Sequence, residues 1–128
     1  MPHTHSDLIM VRRALKKGRG VFARKPIAKG TVIERVPVIL VPVQEIFSPD
    51  RAPVLADYVF AWGRGKVAVA LGYGSLYNHS YRPNARFFHG AGLTKVFKAL
   101  RDIEPGEEIT VNYNGPPGNG SPVGFRAV

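Results

Sequence analysis

Two stretches hold the residues whose types and spacing could do chemistry. In Asn78-His79-Ser80-Tyr81-Arg82-Pro83-Asn84, polar side chains sit in a run that neither alternates nor keeps a helical period, and Pro83 removes a backbone donor where a strand could have continued. That run reads as an irregular loop offering amide groups to a ligand. In Gly106-Glu107-Glu108-Ile109-Thr110-Val111-Asn112-Tyr113, an acidic turn leads into a β-branched strand that delivers one phenol, Tyr113, at its end. Other chemistries find no support. There is no cysteine to act as a nucleophile, no glycine-rich stretch carries the lysine of a phosphate loop, and the glycines lack dinucleotide-binding spacing. His3 and His5 form an H-x-H pair with no further ligand nearby, so no metal centre is expected.

Together the two stretches resemble the SET-domain family of protein-lysine methyltransferases, with its N-H-S/C-x-x-P-N loop and its G-E-E-[LI]-x-x-x-Y strand. Gly18-Arg19-Gly20-Val21-Phe22-Ala23, then Ile27-Ala28-Lys29-Gly30 and Ile33-Glu34, are similar to the family's opening segment, and Leu100-Arg101-Asp102-Ile103-Glu104-Pro105-Gly106 to its approach to the tyrosine. The resemblance covers residues 8 to 114. It implies a mainly β fold, the β-clip of several small curved antiparallel sheets, with short helical turns and a knot-like C-terminal crossing that sets the two motifs side by side.

The same resemblance implies the chemistry and its residues. Methyl would pass from S-adenosylmethionine, the one cofactor expected, to the amine of a protein lysine, with Tyr113 as the catalytic group. The phenol would accept weak C–H···O contacts from the polarised methyl and orient the amine. Asn78 would hold the amino-acid end of the cofactor, and His79 would present its backbone to the adenine with its ring packed inward. Lys17, Arg19 and Gly20 would line the cofactor's other side, and Phe125 would fold back over it. Ser75 lies at a position that helps the tyrosine through a backbone carbonyl. Tyr58, Tyr73 and Tyr77 flank the motifs, as channel wall or as core. Val111 and Phe87 occupy the two places where a tyrosine hydroxyl limits the number of methyls, and neither carries one, so products reaching di- or trimethyl-lysine are expected.

The elements that must position these groups are short. Gly 14 and Pro 11 in 128 residues are too many for a helical bundle, while 45% apolar or aromatic residues suffice for one core, so a single domain spans residues 1 to 128 with a Gly/Pro-rich tail from 115. Leu8–Val11 and Gly20–Ala23 read as a first hairpin. Thr31–Val36 and Val38–Val41 read as strands separated by Pro37, Val43–Phe47 as a helical turn, and Ser48-Pro49-Asp50 as a loop. Asp57–Trp62 and Val67–Leu71 read as a second hairpin, Ala85–His89 and Leu93–Lys98 as a third, and Ile109–Tyr113 as the last strand. Without cysteine no zinc-binding segment can close the C-terminal side, as it does in many SET enzymes.

Net charge is +9, and residues 1 to 35 carry +7 of it, with Arg12, Arg13, Lys16 and Lys17 around the first hairpin. Such a face attracts nucleic acid or a nucleoprotein, or serves solubility alone. The rival to a lysine methyltransferase is therefore an inactive module of the same fold that binds nucleic acid through this hairpin. A catalytic partner would be a protein segment, histone or other basic protein, laid against an exposed strand edge. No apolar run has the length of a membrane span and the start lacks a signal peptide, so an intracellular location is expected, cytoplasmic or, in a eukaryote or virus, nuclear. Oligomeric state is open, a homodimer included.

Overall fold

In the computed structural model, residues 5–14, 18–47 and 54–122 are described. Lys16, Lys17, the Ser48-Pro49-Asp50 loop and Phe125 lie outside them. The described residues form nine strands: β1 (Ile9–Ala14), β2 (Gly18–Ala23), β3 (Val32–Pro42), β4 (Val59–Ala61), β5 (Lys66–Ala70), β6 (Asn78–His79), β7 (Ala85–His89), β8 (Thr94–Ala99) and β9 (Glu108–Val111). One helical turn, α1 (Val43–Ile46), follows β3, and a 3-10 turn spans Val54–Tyr58. The strands build two sheets, one in the order β1-β2-β9-β6 and one in the order β4-β5-β3-β8-β7.

Pro37 does not divide β3, contrary to the sequence expectation. The strand pairs with β8 from Val32 to Pro37 and with β5 from Val38 to Pro42, so the missing N–H falls where one partner replaces the other. At that handover the Pro37 carbonyl still accepts from Leu71, and Val38 donates to Leu93. Two other boundaries also differ. Asp57 and Tyr58 complete the 3-10 turn, so the strand expected from Asp57 begins at Val59. β9 ends at Val111 and Tyr113 stands in the turn beyond it, because the Asn112 side chain competes for the backbone, its Oδ1 accepting from the Asn114 N–H at 3.0 Å.

The core lies between the sheets, where β-branched residues such as Val21, Ile33, Val36, Ile109 and Val111 meet Phe97. Tyr77 stacks on Phe97 with ring centroids 4.1 Å apart, and an isolated bridge between Ile27 and Ile103 ties the opening segment to the approach to β9. All pairings are antiparallel except one. β6 runs parallel to β9, Asn78 opposite Thr110 and His79 opposite Val111, which sets the loop motif beside the tyrosine motif.

Beyond Tyr113, asparagines tie the described residues down. Asn112, buried to 1% exposure, donates to the carbonyls of Pro117 and Asn119, while Asn114 and the Tyr81 hydroxyl both donate to that of Ser121. The Gly/Pro-rich residues 115–122 thus have no regular structure and are nonetheless bonded to the body.

Candidate active site

Two cavities meet at Tyr113. The larger, about 360 Å3, is lined by Arg13, Gly18, Arg19, Leu76 and Asn78, and the narrower, about 90 Å3, by Asp57, Val59, Phe60, Ala61 and Tyr77. Tyr58, Ser75 and Tyr113 line both. The hairpin β1–β2 supplies one wall, the 3-10 turn and β4 another, and the loop before β6 the floor. Arg13 and Arg19 are direct cross-strand partners in the hairpin. Like charges placed opposite one another cost stability unless an anion joins them.

The loop asparagines are gripped by the paired glutamates of the other motif. Asn78 Nδ2 donates to Glu108 Oε2 at 2.7 Å and to the Arg19 carbonyl at 2.9 Å. Both amide hydrogens are then committed, so the atom Asn78 can offer a ligand is Oδ1, an acceptor suited to an ammonium. Asn84 donates to Glu107 Oε2 and to the Glu108 carbonyl, and accepts from the Thr110 N–H. Gly20 belongs to the same device. A Cβ there would fall on the Glu108 carboxylate and 2.8 Å from Asn78 Nδ2, so glycine is needed to admit this bond, and Gly20 itself lines neither cavity.

The phenol of Tyr113 is positioned from two sides. Its hydroxyl donates to the Tyr77 carbonyl at 2.6 Å, and its backbone N–H donates to His79 Nδ1 at 2.9 Å. His79 is buried to 2% exposure, with its ring tilted against that of Tyr113. Burial first, then the neighbouring Tyr58, Glu108 and Asp57, push the Tyr113 hydroxyl up to about 12. It stays neutral across the physiological range and is not a base. Tyr77 in turn is held by Glu34, a buried carboxylate that accepts its hydroxyl at 2.8 Å and the Tyr73 N–H at 2.9 Å. Burial raises the Glu34 pKa despite these donors. The turn that closes over Glu34 requires Gly72, whose φ is +59° and whose Cβ would lie 2.8 Å from the carboxylate oxygen.

Of the residues read from the sequence, the structure brings Arg19, Asn78, Ser75, Tyr58, Tyr77 and Tyr113 to the cavities. The Ser75 hydroxyl is turned back to the Ala70 carbonyl at 2.7 Å. Tyr73, Phe87 and Val111 line neither cavity: Val111 is fully buried in β9, and Phe87 packs edge-on behind Phe60 at 5.1 Å. Lys17 and Phe125 fall outside the described residues. Arg13, Leu76, Glu34, Asp57 and the Val59–Ala61 wall went unread as site residues. Strand alternation across the first hairpin could have paired Arg13 with Arg19, whereas Glu34 closes on Tyr77 over a sequence separation that no local pattern carries.

Behind the narrow cavity lies a lysine that the sequence reading left in a hairpin strand. Lys95 has 0% exposure, and its Nζ sits 3.5 Å from the centre of the Phe60 ring and 3.8 Å from that of Phe87, with no hydrogen-bond partner. No group of three metal-ligating side chains occurs among the described residues, and no helix is long and apolar enough to cross a membrane.

Known proteins resemble this chain in sequence and fold. The SET domain family model matches residues 18–114. A Schizosaccharomyces pombe protein named histone-lysine N-methyltransferase, H3 lysine-37 specific, is 36% identical over 104 residues, covering 80% of this chain and 71% of that protein. The histone-lysine N-methyltransferase mes-4 of Caenorhabditis elegans is 31% identical over 85% of this chain, which spans only 14% of that longer protein. Among solved structures, a candidate histone methyltransferase of Plasmodium falciparum superposes with a TM-score of 0.66 at 27% identity, covering 86% of this chain and 94% of that one. With paired motifs, parallel β6–β9 contact and family match in agreement, the chain belongs to the SET-domain family of protein-lysine methyltransferases.

Proposed function

We propose that the protein transfers methyl groups from S-adenosylmethionine to the side-chain amine of lysine in a protein substrate, with flexible histone-type tails as the class to which the named relatives point. The observation that carries the reading is that Tyr113, Tyr58 and Ser75 line both cavities, so a cofactor in one and a lysine in the other would meet at a single phenol. The larger cavity fits the cofactor by size and by donor set. Its volume lies within the rough 300–1,000 Å3 of small-ligand sites. Arg13 and Arg19 suit a carboxylate, Asn78 Oδ1 an ammonium, and Leu76 with Tyr58 the flat apolar base.

When bound, S-adenosylmethionine supplies a methyl on a sulfonium, whose C–S bond breaks as the lysine nitrogen forms the new C–N bond. The chain's task is alignment and desolvation. A free lysine has a pKa of about 10.4, so presenting its neutral amine at pH 7 costs about 5 kcal/mol. Val59, Phe60 and Ala61 give the narrow cavity apolar walls that disfavour the ammonium, and the proton leaves to water before the amine is sealed in. Tyr113 keeps its proton on the Tyr77 carbonyl, which leaves oxygen lone pairs to accept C–H···O contacts from the methyl.

Products reaching di- or trimethyl-lysine follow from hydroxyls that are occupied. Of those lining the narrow cavity, that of Tyr77 is bound to Glu34, that of Ser75 to the Ala70 carbonyl and that of Tyr113 to the Tyr77 carbonyl. Tyr58 remains as the group able to hold a blocking water. Incubation with labelled S-adenosylmethionine and recombinant histones, followed by hydrolysis, should give labelled di- and trimethyl-lysine. Cofactor binding by calorimetry without label in any lysine would instead favour an inactive module.

A further inference from the structure

On a face that shares no residue with the two cavities, an open groove of about 460 Å3 runs beside the edge strand β7. Along β7, Arg86 and Phe88 point outward while Phe87 points in, and Arg86 is the direct cross-strand partner of Lys98 on β8. A third cation arrives from a different element. The turn at Lys29–Gly30 is bonded down onto β8, the Gly30 N–H donating to the Ala99 carbonyl and the Ala99 N–H to that of Thr31, which places Lys29 on the groove's rim.

No acidic residue lines this groove, and among the described residues no carboxylate lies within 4 Å of the charged end of Lys29, Arg86 or Lys98. Asp102, near the turn, is occupied in accepting the Lys29 backbone N–H at 2.8 Å. Two like charges directly opposite on adjacent strands are unfavourable by themselves. Their juxtaposition is relieved by an anionic ligand, and the Phe88 ring, 38% exposed and 6.0 Å from the Arg86 guanidinium, adds a flat apolar platform.

The first hairpin, where charge alone points, is less available. Arg12 lies 4.1 Å over the Phe22 ring and donates to the Gly106 carbonyl, Arg13 and Arg19 line the larger cavity, and Lys25 is paired with Asp7. The cations of β1 and β2 in the described residues are therefore engaged in the fold or at the site.

We propose that the groove of Lys29, Arg86, Phe88 and Lys98 binds single-stranded nucleic acid, the three cations neutralising phosphates and Phe88 stacking on a base. Cationic grooves that track a backbone, with an aromatic ring for sequence-tolerant stacking, are the general solution for single strands. The inference is independent of the methyl-transfer reading, and its test measures binding alone. Fluorescence anisotropy of a labelled oligothymidylate of about a dozen nucleotides would be followed against salt for the unmodified chain and three variants. Three neutralised phosphates give a slope of log affinity on log salt of about −2, and the double variant Arg86→Gln/Lys98→Gln should bring it to about −0.7. Phe88→Ala should weaken binding about tenfold at an unchanged slope. All these side chains are exposed or rim residues outside both cavities, so the fold should be unaltered, and an unchanged melting temperature serves as the folding control.

Three results would overturn the assignment. The first is equal affinity and slope in the double variant. A second is loss of binding on Arg12→Gln instead, which would move the contact to the first hairpin. The third is displacement of the oligonucleotide by polyglutamate as readily as by unlabelled oligothymidylate, which would leave an unselective anion surface.

Discussion

Replacing Lys95 with methionine should stabilise this protein, and by an amount that depends on pH. The lysine is wholly buried, its Nζ has only the faces of Phe60 and Phe87 for company, and burial brings its pKa from 10.5 to about 7. At 1.36 kcal/mol per unit, that change corresponds to a cost of about 5 kcal/mol for keeping the charged form inside. The two ring contacts favour the ammonium and offset about 2 kcal/mol of it, leaving roughly 3. Methionine keeps the unbranched length and the ring contacts while removing the charge.

The sign follows from proton binding. Between about pH 7 and pH 10 the unfolded chain holds a proton on Lys95 that the folded protein has released, so native stability rises with pH in that window. Below pH 7 both states are protonated and the full penalty stands. Urea unfolding of the Lys95→Met variant should therefore show a gain of about 3 kcal/mol near pH 6, shrinking toward zero by pH 10, with an unchanged m-value. His89, opposite Lys95 on β7, is held below the usual histidine range first by burial and then by the Lys95 charge, and its pKa should rise in the variant. A methionine variant less stable than the parent at pH 6, or a gain independent of pH, would show that the ammonium is solvated or paired and refute the reasoning.

Other perturbations test the site directly. Asn78→Ala removes a donor from the Glu108 carboxylate and from the Arg19 carbonyl, together with the Oδ1 acceptor, and should cost roughly 1.5–3 kcal/mol of cofactor affinity in a calorimetric titration. Gly20→Ala should lower the melting temperature through about 1–3 kcal/mol of overpacking, because its Cβ collides with that same pair. Tyr77→Phe leaves Glu34 with one donor fewer, at about 1–3 kcal/mol in chemical unfolding, and should slow methyl transfer by loosening the carbonyl that holds Tyr113. Tyr58→Phe should leave total transfer rate similar and shift mass-spectrometric products further toward trimethyl-lysine.

Much of this fold was legible because its devices are local. The glycine turns, the β-branched strands and the two motifs each announce themselves within a few residues, and the family resemblance supplied their juxtaposition, seen as the parallel pairing of Asn78–His79 with Thr110–Val111. Interactions that close over long sequence separations were not legible. Nothing near Pro37 reveals that β3 exchanges partners there. The acidic pair Glu107–Glu108 reads as a turn, whereas its side chains hold Asn84 and Asn78. Lys95 reads as a solvent-facing strand residue, since a Thr-Lys-Val-Phe-Lys pattern cannot tell which faces are covered when both sides of β8 are packed. Phe87 and Val111, expected in the channel, line neither cavity, because alternation tells inward from outward but not which inward residues border a cavity.

The meeting of two cavities at Tyr113 is tested most directly by the Tyr113→Phe variant, with single-turnover methyl transfer and cofactor affinity measured on the same preparation. In the proposed reaction the phenol would make up to three weak C–H···O contacts in the transition state, each of about 0.5–1 kcal/mol. Its loss should slow transfer roughly 10- to 100-fold, at 1.36 kcal/mol per factor of ten, while calorimetric cofactor affinity stays within about twofold. An unchanged rate in the phenylalanine variant would contradict the central role of Tyr113 and make the tyrosine a packing residue in the turn after β9.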